Sequence, residues 1–176
     1  MSETLTRAEA PSLVEPPTGH IDDFNFFIGD WKTRHHQLVG RLVGSTTWRD
    51  FGGVSQVRKI MGGQGNLDDN ILDLPTGAYR AATVRTFDPA SRHWSIYWID
   101  ARFVGIEPPM VGGFDGPHGL FFAEEVQEGR PVVVRFRWTV LDADHCRWEQ
   151  AFTEDRGLTW EINWTTEFER SAEPVL

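Results

Sequence analysis

The residues best placed to do chemistry sit on one short segment, Trp31-Lys32-Thr33-Arg34-His35-His36-Gln37-Leu38. Read as a strand, it sends Trp31, Thr33, His35 and Gln37 to one face and Lys32, Arg34 and His36 to the other. With the tryptophan turned inward, His35 becomes an interior titratable group flanked by a hydroxyl and an amide. Such an imidazole has two readings: a buried, hydrogen-bonded histidine, or a general acid or base acting on a bound molecule. In the second reading an interior Arg58 or Arg85 would stabilise negative charge. Trp48, Trp98, Trp138, Trp148, Gln150 and Trp164 are further candidates for the same interior. Flat apolar surfaces with a few polar handles suit a planar or amphipathic small molecule, and an arginine fork grips a carboxylate at two points. The same mixture also suits a packed core with internal ion pairs. The expected ligand-binding set is therefore Trp31, His35, Trp48, Arg58, Arg85, Trp98, Trp138 and Gln150. The leading reading is a binding or carrier protein; the alternative is an isomerase, lyase or hydrolase with His35 as its acid or base.

Other chemistries find less support. The nucleophile and zinc motifs G-x-S-x-G and H-E-x-x-H are absent, and the single cysteine, Cys146, excludes an intramolecular disulfide and a cysteine metal cluster. The glycines of Gly62-Gly63-Gln64-Gly65 lack the G-x-G-x-x-G spacing of a phosphate cradle, and no helix pattern follows them. Asp68, Asp69 and Asp73 lack the alternating oxygen ligands and closing glutamate of a calcium loop, so no metal is expected. A formal charge of -9 argues against nucleic acid as a partner. There is no charged opening followed by an apolar run and no apolar stretch near the roughly 18 residues of a membrane span. A cytoplasmic protein is expected, so the sequon Asn163-Trp164-Thr165 is not expected to carry a glycan.

The elements that must position these residues are mostly strands. Residues 1–19, with three glutamates, three prolines and little apolar periodicity, read as a flexible arm, and 20–176 as one domain. Phe24-Asn25-Phe26-Phe27-Ile28 is too short for an amphipathic helix and reads as one helical turn, a plug, closed by Gly29. After the first strand come Ser45 to Phe51, a hairpin signal at Gly52-Gly53, and Val54 to Met61. The stretch from Gly62 to Pro75 breaks the rhythm and reads as a long loop over a barrel mouth. Tyr79 to Phe87 and Arg92 to Asp100 form a hairpin around Asp88-Pro89. A second long connection, Ala101 to Pro109, precedes Met110 to Asp115 and Leu120 to Val126. In Pro131 to Leu141, Val132, Val134, Phe136, Trp138 and Val140 share one face and Arg135, Arg137 and Thr139 the other. His145 to Phe152 and Trp160 to Glu169 complete about ten strands, a meander that loses both edges by closing into an antiparallel up-and-down β-barrel. About ten strands leave room for a cavity where eight would be filled.

Gly29-Asp30-Trp31 at the head of the first strand resembles the Gly-x-Trp that opens the calycin superfamily: lipocalins, fatty-acid-binding proteins and nitrobindin-like proteins. It is most similar to bacterial lipocalin-like proteins of unassigned function. The resemblance covers about Phe24 to Arg170 and implies that Arg170, after the last strand, lies across the buried Trp31 as a cation over an indole. Nitrobindin-like barrels also raise haem as a cofactor. The glycine-rich first strand of that group is missing, and only His145 stands where a late axial ligand is expected, so no haem is expected. Thr153-Glu154-Asp155-Arg156-Gly157-Leu158-Thr159-Trp160 matches the Asp-box hairpin pattern, a structural turn in the sialidases that repeat it. A small hydrophobic or amphipathic partner is implied, and exposed strand surfaces leave room for a homodimer.

Overall fold

Side chains alternate between interior and solvent along most strands of the computed structural model, which describes residues 15–176. The strands are β1 (Gly29–Leu38), β2 (Trp48–Ile60), β3 (Gly65–Leu74), β4 (Gly77–Asp88), β5 (His93–Asp100), β6 (Met110–Asp115), β7 (His118–Gln127), β8 (Arg130–Val140), β9 (His145–Thr153) and β10 (Glu161–Arg170). Each pairs antiparallel with its sequence neighbour, and β1 also pairs with β10, so the all-β sheet closes into a ten-stranded barrel without a free edge. Among the described residues no helix is long and apolar enough to cross a membrane.

Three expectations need correcting. The helical plug is not seen as such: Asn25–Phe27 makes only a three-residue 3₁₀ turn. Its side chains still fill one end of the barrel, where Phe24 and Phe27 are each 1% exposed. Gly52-Gly53 is not a hairpin. Neither glycine takes a positive φ, and both sit within β2, paired with Arg34 and Thr33. At Gly53 a Cβ would collide with the Ile71 carbonyl oxygen and crowd Thr33 and His35, so glycine permits a close approach rather than a turn. The expected mouth loop is mostly wall, because Gly65 to Leu74 is β3. The residues it turns inward include Asn66 and Asp68, each 2% exposed, and this polar interior face hid the strand from a search for apolar alternation. Of the expected arm, residues 1–14 lie outside the described part. Gly19, within it, is buried and donates its N–H to the Arg92 carbonyl at 2.7 Å.

The two ends of the barrel differ. One is closed by Phe24, Phe27, Trp31, Trp94, Phe114, Phe121 and Trp138, packed in edge-on and tilted aromatic pairs with centroids 4.9–5.9 Å apart. Arg170 fastens this end. Its guanidinium lies 4.2 Å from the Trp31 ring centroid and donates to the carbonyls of Ile28 at 2.8 Å, Phe26 at 2.6 Å and Ala143 at 3.1 Å. At the other end the connections 39–47 and 101–109 surround an opening. The wall is thinnest beside it: β5 and β6 share only the pairs Trp94↔Gly112, Ser95↔Val111 and Ile96↔Met110.

The hairpin between β9 and β10 behaves as a structural turn. Asp155 accepts the Thr159 N–H at 2.9 Å and the Thr153 and Thr159 hydroxyls, while Gly157 takes φ +85°. The Thr159 hydroxyl above all, with these other donors, holds its carboxyl down at about 2. Trp160 then folds onto the barrel exterior, under the Arg135 guanidinium at 4.5 Å.

Candidate functional site

A cavity of about 540 Å³ occupies the barrel between the aromatic floor and the open end. Polar and apolar side chains line it together, Leu72 and Tyr79 among the polar groups of β1 to β4 and Gln150 and Thr166 among the aromatics of β9 and β10. β1 to β4 contribute Thr33, His35, Gln37, Arg49, Asp68, Asn70, Thr83 and Arg85. β5 and β8 to β10 contribute Trp98, Phe136, Trp138, Trp148, Phe152, Trp164 and Phe168. Each set follows from strand parity: odd residues of β1, β2 and β4 and even residues of β3, β5, β8, β9 and β10 face in. Trp164 on β10 meets Trp148 on the adjacent β9 at 5.6 Å and, across the barrel, Trp98 on β5 at 6.5 Å, both near perpendicular, and Trp148 meets Phe136 edge-on at 4.8 Å. These rings hold one another in place.

His35 is 8% exposed and stacked on Phe51 with centroids 4.7 Å apart. Nε2 is 3.0 Å from Thr33 Oγ1, and Nδ1 is 2.8 Å from Thr166 Oγ1 and 3.3 Å from Trp164 Nε1. An indole N–H only donates, so Nδ1 is the acceptor and the ring is the neutral tautomer with its proton on Nε2, given to Thr33. Burial lowers its pKa to about 4. The imidazole is therefore uncharged and pinned at both nitrogens, a weak base at neutral pH.

At the floor, Arg85 Nη2 meets Asp68 Oδ2 at 2.7 Å and Nη1 meets Asn66 Oδ1 at 2.9 Å. Asp68 Oδ1 also accepts the Thr83 N–H at 2.7 Å and Asn70 Nδ2 at 2.6 Å. The Arg85 guanidinium stands over the rings of Phe27, Phe24 and Trp138 at 5.1, 5.2 and 5.7 Å. Arg85 is thus committed to its own carboxylate and to the aromatic floor.

The sequence-derived candidates divide. His35, Arg85, Trp98, Trp138 and Gln150 line the cavity, as do Trp148 and Trp164. Gln150 also gives its amide to Asn163 at 2.8 Å. Trp31, Trp48 and Arg58 do not line it. Trp31 is sealed below the floor, with Nε1 on the Phe27 carbonyl at 2.8 Å. Trp48 and Arg58 share the outward parity of β2: Trp48 stacks on His36 outside the barrel at 4.3 Å, and Arg58 is exposed. Arg49, Arg41, Tyr79, Arg102 and Glu125 line the cavity without having been expected there. Arg49 shares the inward parity of Phe51, which only the folded strand reveals; Arg41 lies in a turn, where no periodicity points to it. His145 is exposed at the closed end, 2.8 Å from Asp142 Oδ1, and is not a cavity residue. Among the described residues no group of three or more His, Cys, Asp or Glu is arranged to hold a metal ion.

No family model and no curated protein matches the sequence. Among solved structures, one described as EF1p2_mFAP2b bound to DFHBI is similar, with a TM-score of 0.47 and 7% identity over 86% of this chain and 98% of that one. The barrel rests on its own strand pairings.

Proposed function

We propose that the protein binds or carries a small, flat, amphipathic molecule inside the barrel. The observation that carries this reading is a cavity of about 540 Å³ lined by aromatic faces and polar side chains together. That volume falls in the roughly 300–1,000 Å³ range of small-molecule pockets. A planar ring system set against Trp98, Trp148 and Trp164 would turn its polar edge toward Gln37, Asn70 and Thr83. His35 serves as a neutral donor and acceptor in that lining, and its low basicity speaks for binding over acid–base turnover. The placement of His145 outside the cavity favours a ligand other than haem. Kinship with bacterial lipocalin-like barrels belongs to the same proposal.

Mass spectrometry of the intact protein under native conditions, followed by denaturing extraction, tests it. A small molecule retained at one per chain is the expected result, and its exchange for an added aromatic ligand should quench the cavity tryptophans. An empty protein that binds no member of a panel of flat amphipathic compounds would sink the reading. For His35→Gln the expected change in affinity is within about tenfold, as for one lining group among several.

A further inference from the structure

At the mouth of the cavity, beside the lining carboxylates Asp100, Glu107 and Glu125, Arg41 and Arg49 have no carboxylate within 4.0 Å among the described residues. Arg41, in the 39–47 connection, lines the cavity with its guanidinium 5.4 Å from the Phe152 ring centroid. Among the described residues it donates no hydrogen bond and has no carboxylate within 4.0 Å. Arg49 directs Nε and Nη2 to the Gln37 amide oxygen, Nε at 2.9 Å, and likewise lacks a carboxylate within 4.0 Å. Burial lowers the Arg41 pKa and the charge of Arg49 lowers it further, while Glu125, Tyr79 and Glu107 act in the opposite sense. Burial raises the Glu125 pKa, as does the charge of Glu107, against the Gln127 hydrogen bond and the Arg41 charge. The third arginine at this end, Arg102, is already matched by Asp100 at 2.7 Å and lies 3.6 Å from the Tyr79 ring centroid.

Of the cavity's arginines, Arg85 and Arg102 each hold a carboxylate at 2.7 Å, while Arg41 and Arg49 have none within 4.0 Å among the described residues, Glu125 and Glu107 acting on Arg41 from farther away. We propose that Arg41 and Arg49 form an oxyanion clamp at the mouth, so that the natural ligand is a flat aromatic acid bound with its body inward and its charged group outward. This rests on the cavity being a ligand site. Guanidinium forks match carboxylate and sulfonate alike, and a partly desolvated pair binds either more strongly than water-exposed arginines would.

The test compares two dyes with the same ring system, anilinonaphthalene sulfonate and phenylnaphthylamine, the second lacking the anion. With the full chain, fluorescence titration should give the sulfonate at least about tenfold tighter binding than the neutral dye, the usual scale of one charged hydrogen-bonded contact. Arg41→Gln should remove about tenfold of the sulfonate affinity and the Arg41→Gln, Arg49→Gln pair more, with the neutral dye changed by less than about twofold in both. Arg41 has no hydrogen bond to lose, so its single variant keeps the test decisive even if the pair disturbs Gln37. Equal affinity of the two dyes for the native protein, or sulfonate affinity untouched in Arg41→Gln, overturns the clamp and leaves the cavity reading standing. Binding of neither dye removes the clamp together with the cavity reading.

Discussion

Methionine in place of Arg85 keeps much of the side-chain bulk and removes the cation that faces Asp68. The two side chains are 4% and 3% exposed, and their charged atoms are 2.7 Å apart. After the change, Asp68 Oδ1 keeps its bonds to Thr83 and Asn70, but Oδ2 loses the donor it has from Arg85. Stranding one member of a buried pair costs about 3–5 kcal/mol. At roughly 2–4 °C per kcal/mol for a domain of this length, the melting temperature should fall by roughly 6–20 °C. The companion Asp68→Asn keeps an acceptor for the Thr83 N–H, and in the Arg85→Met, Asp68→Asn double variant no charge remains to be stranded. At least about half of the single-variant loss should return, because replacing a buried pair as a unit is often neutral while splitting it is not. Urea unfolding followed by tryptophan fluorescence measures each term, provided the slope with denaturant is unchanged. A loss below about 1 kcal/mol in Arg85→Met, or a double variant no better than the sum of the singles, would refute the buried pair as a coupled unit.

Further expectations follow from other groups. His35 has a folded pKa of about 4 against 6.5 unfolded, so on acidification the unfolded chain takes up the proton first. Its contribution is complete above about pH 6.5 and is lost toward pH 4, up to about 3 kcal/mol, and urea curves at pH 7.5 and 4.5 should converge in His35→Gln. Arg170→Gln should cost about 2–4 kcal/mol in a thermal melt, because three carbonyls lose a charged donor at once; lysine, with no planar fork, should restore less than half. Burial pushes the Cys146 thiol up to about 12. A disulfide reagent should therefore modify it only as fast as the barrel opens, and prompt reaction of the folded protein would contradict the packing.

The sequence disclosed the barrel more fully than its interior. β8 and β9 announce themselves because one face is largely apolar or aromatic and the other carries charges, as with Val132 to Val140 against Arg135 and Arg137, whereas β1 is marked by Trp31 at its head. β3 was illegible for the opposite reason: its inward Asn66 and Asp68 are satisfied by Arg85, a residue 17 positions beyond Asp68, and only the closed barrel brings them together. Gly52-Gly53 imitates a turn because the sequence signal for a missing Cβ is the same whether the chain bends or another strand approaches. In the site, the alternation anchored on Trp31 located His35 and Gln37, while Trp48 and Arg58 were misplaced because no residue read from the sequence set the parity of β2. Arg41 illustrates a harder limit. Its position depends on how the 39–47 connection folds over the opening, which no period in the sequence encodes.

The short pairing between β5 and β6 bears on kinetics. Beyond Ile96 and below Met110 the ladder stops, so Tyr97 to Asp100 on one side and Ala123 to Gln127 on the other flank a slit spanned by the connection 101–109, where Phe103 is 71% exposed. The remaining seams run to seven residue pairs or more, apart from five between β6 and β7. A cylinder with one weak seam breathes there first, at a free energy below that of global unfolding. Hydrogen exchange should accordingly be fast at the amides beside the slit and slow in Trp94 to Ile96. For a guest bound as proposed, the opening of that seam adds its own barrier to escape, on top of what the lining holds.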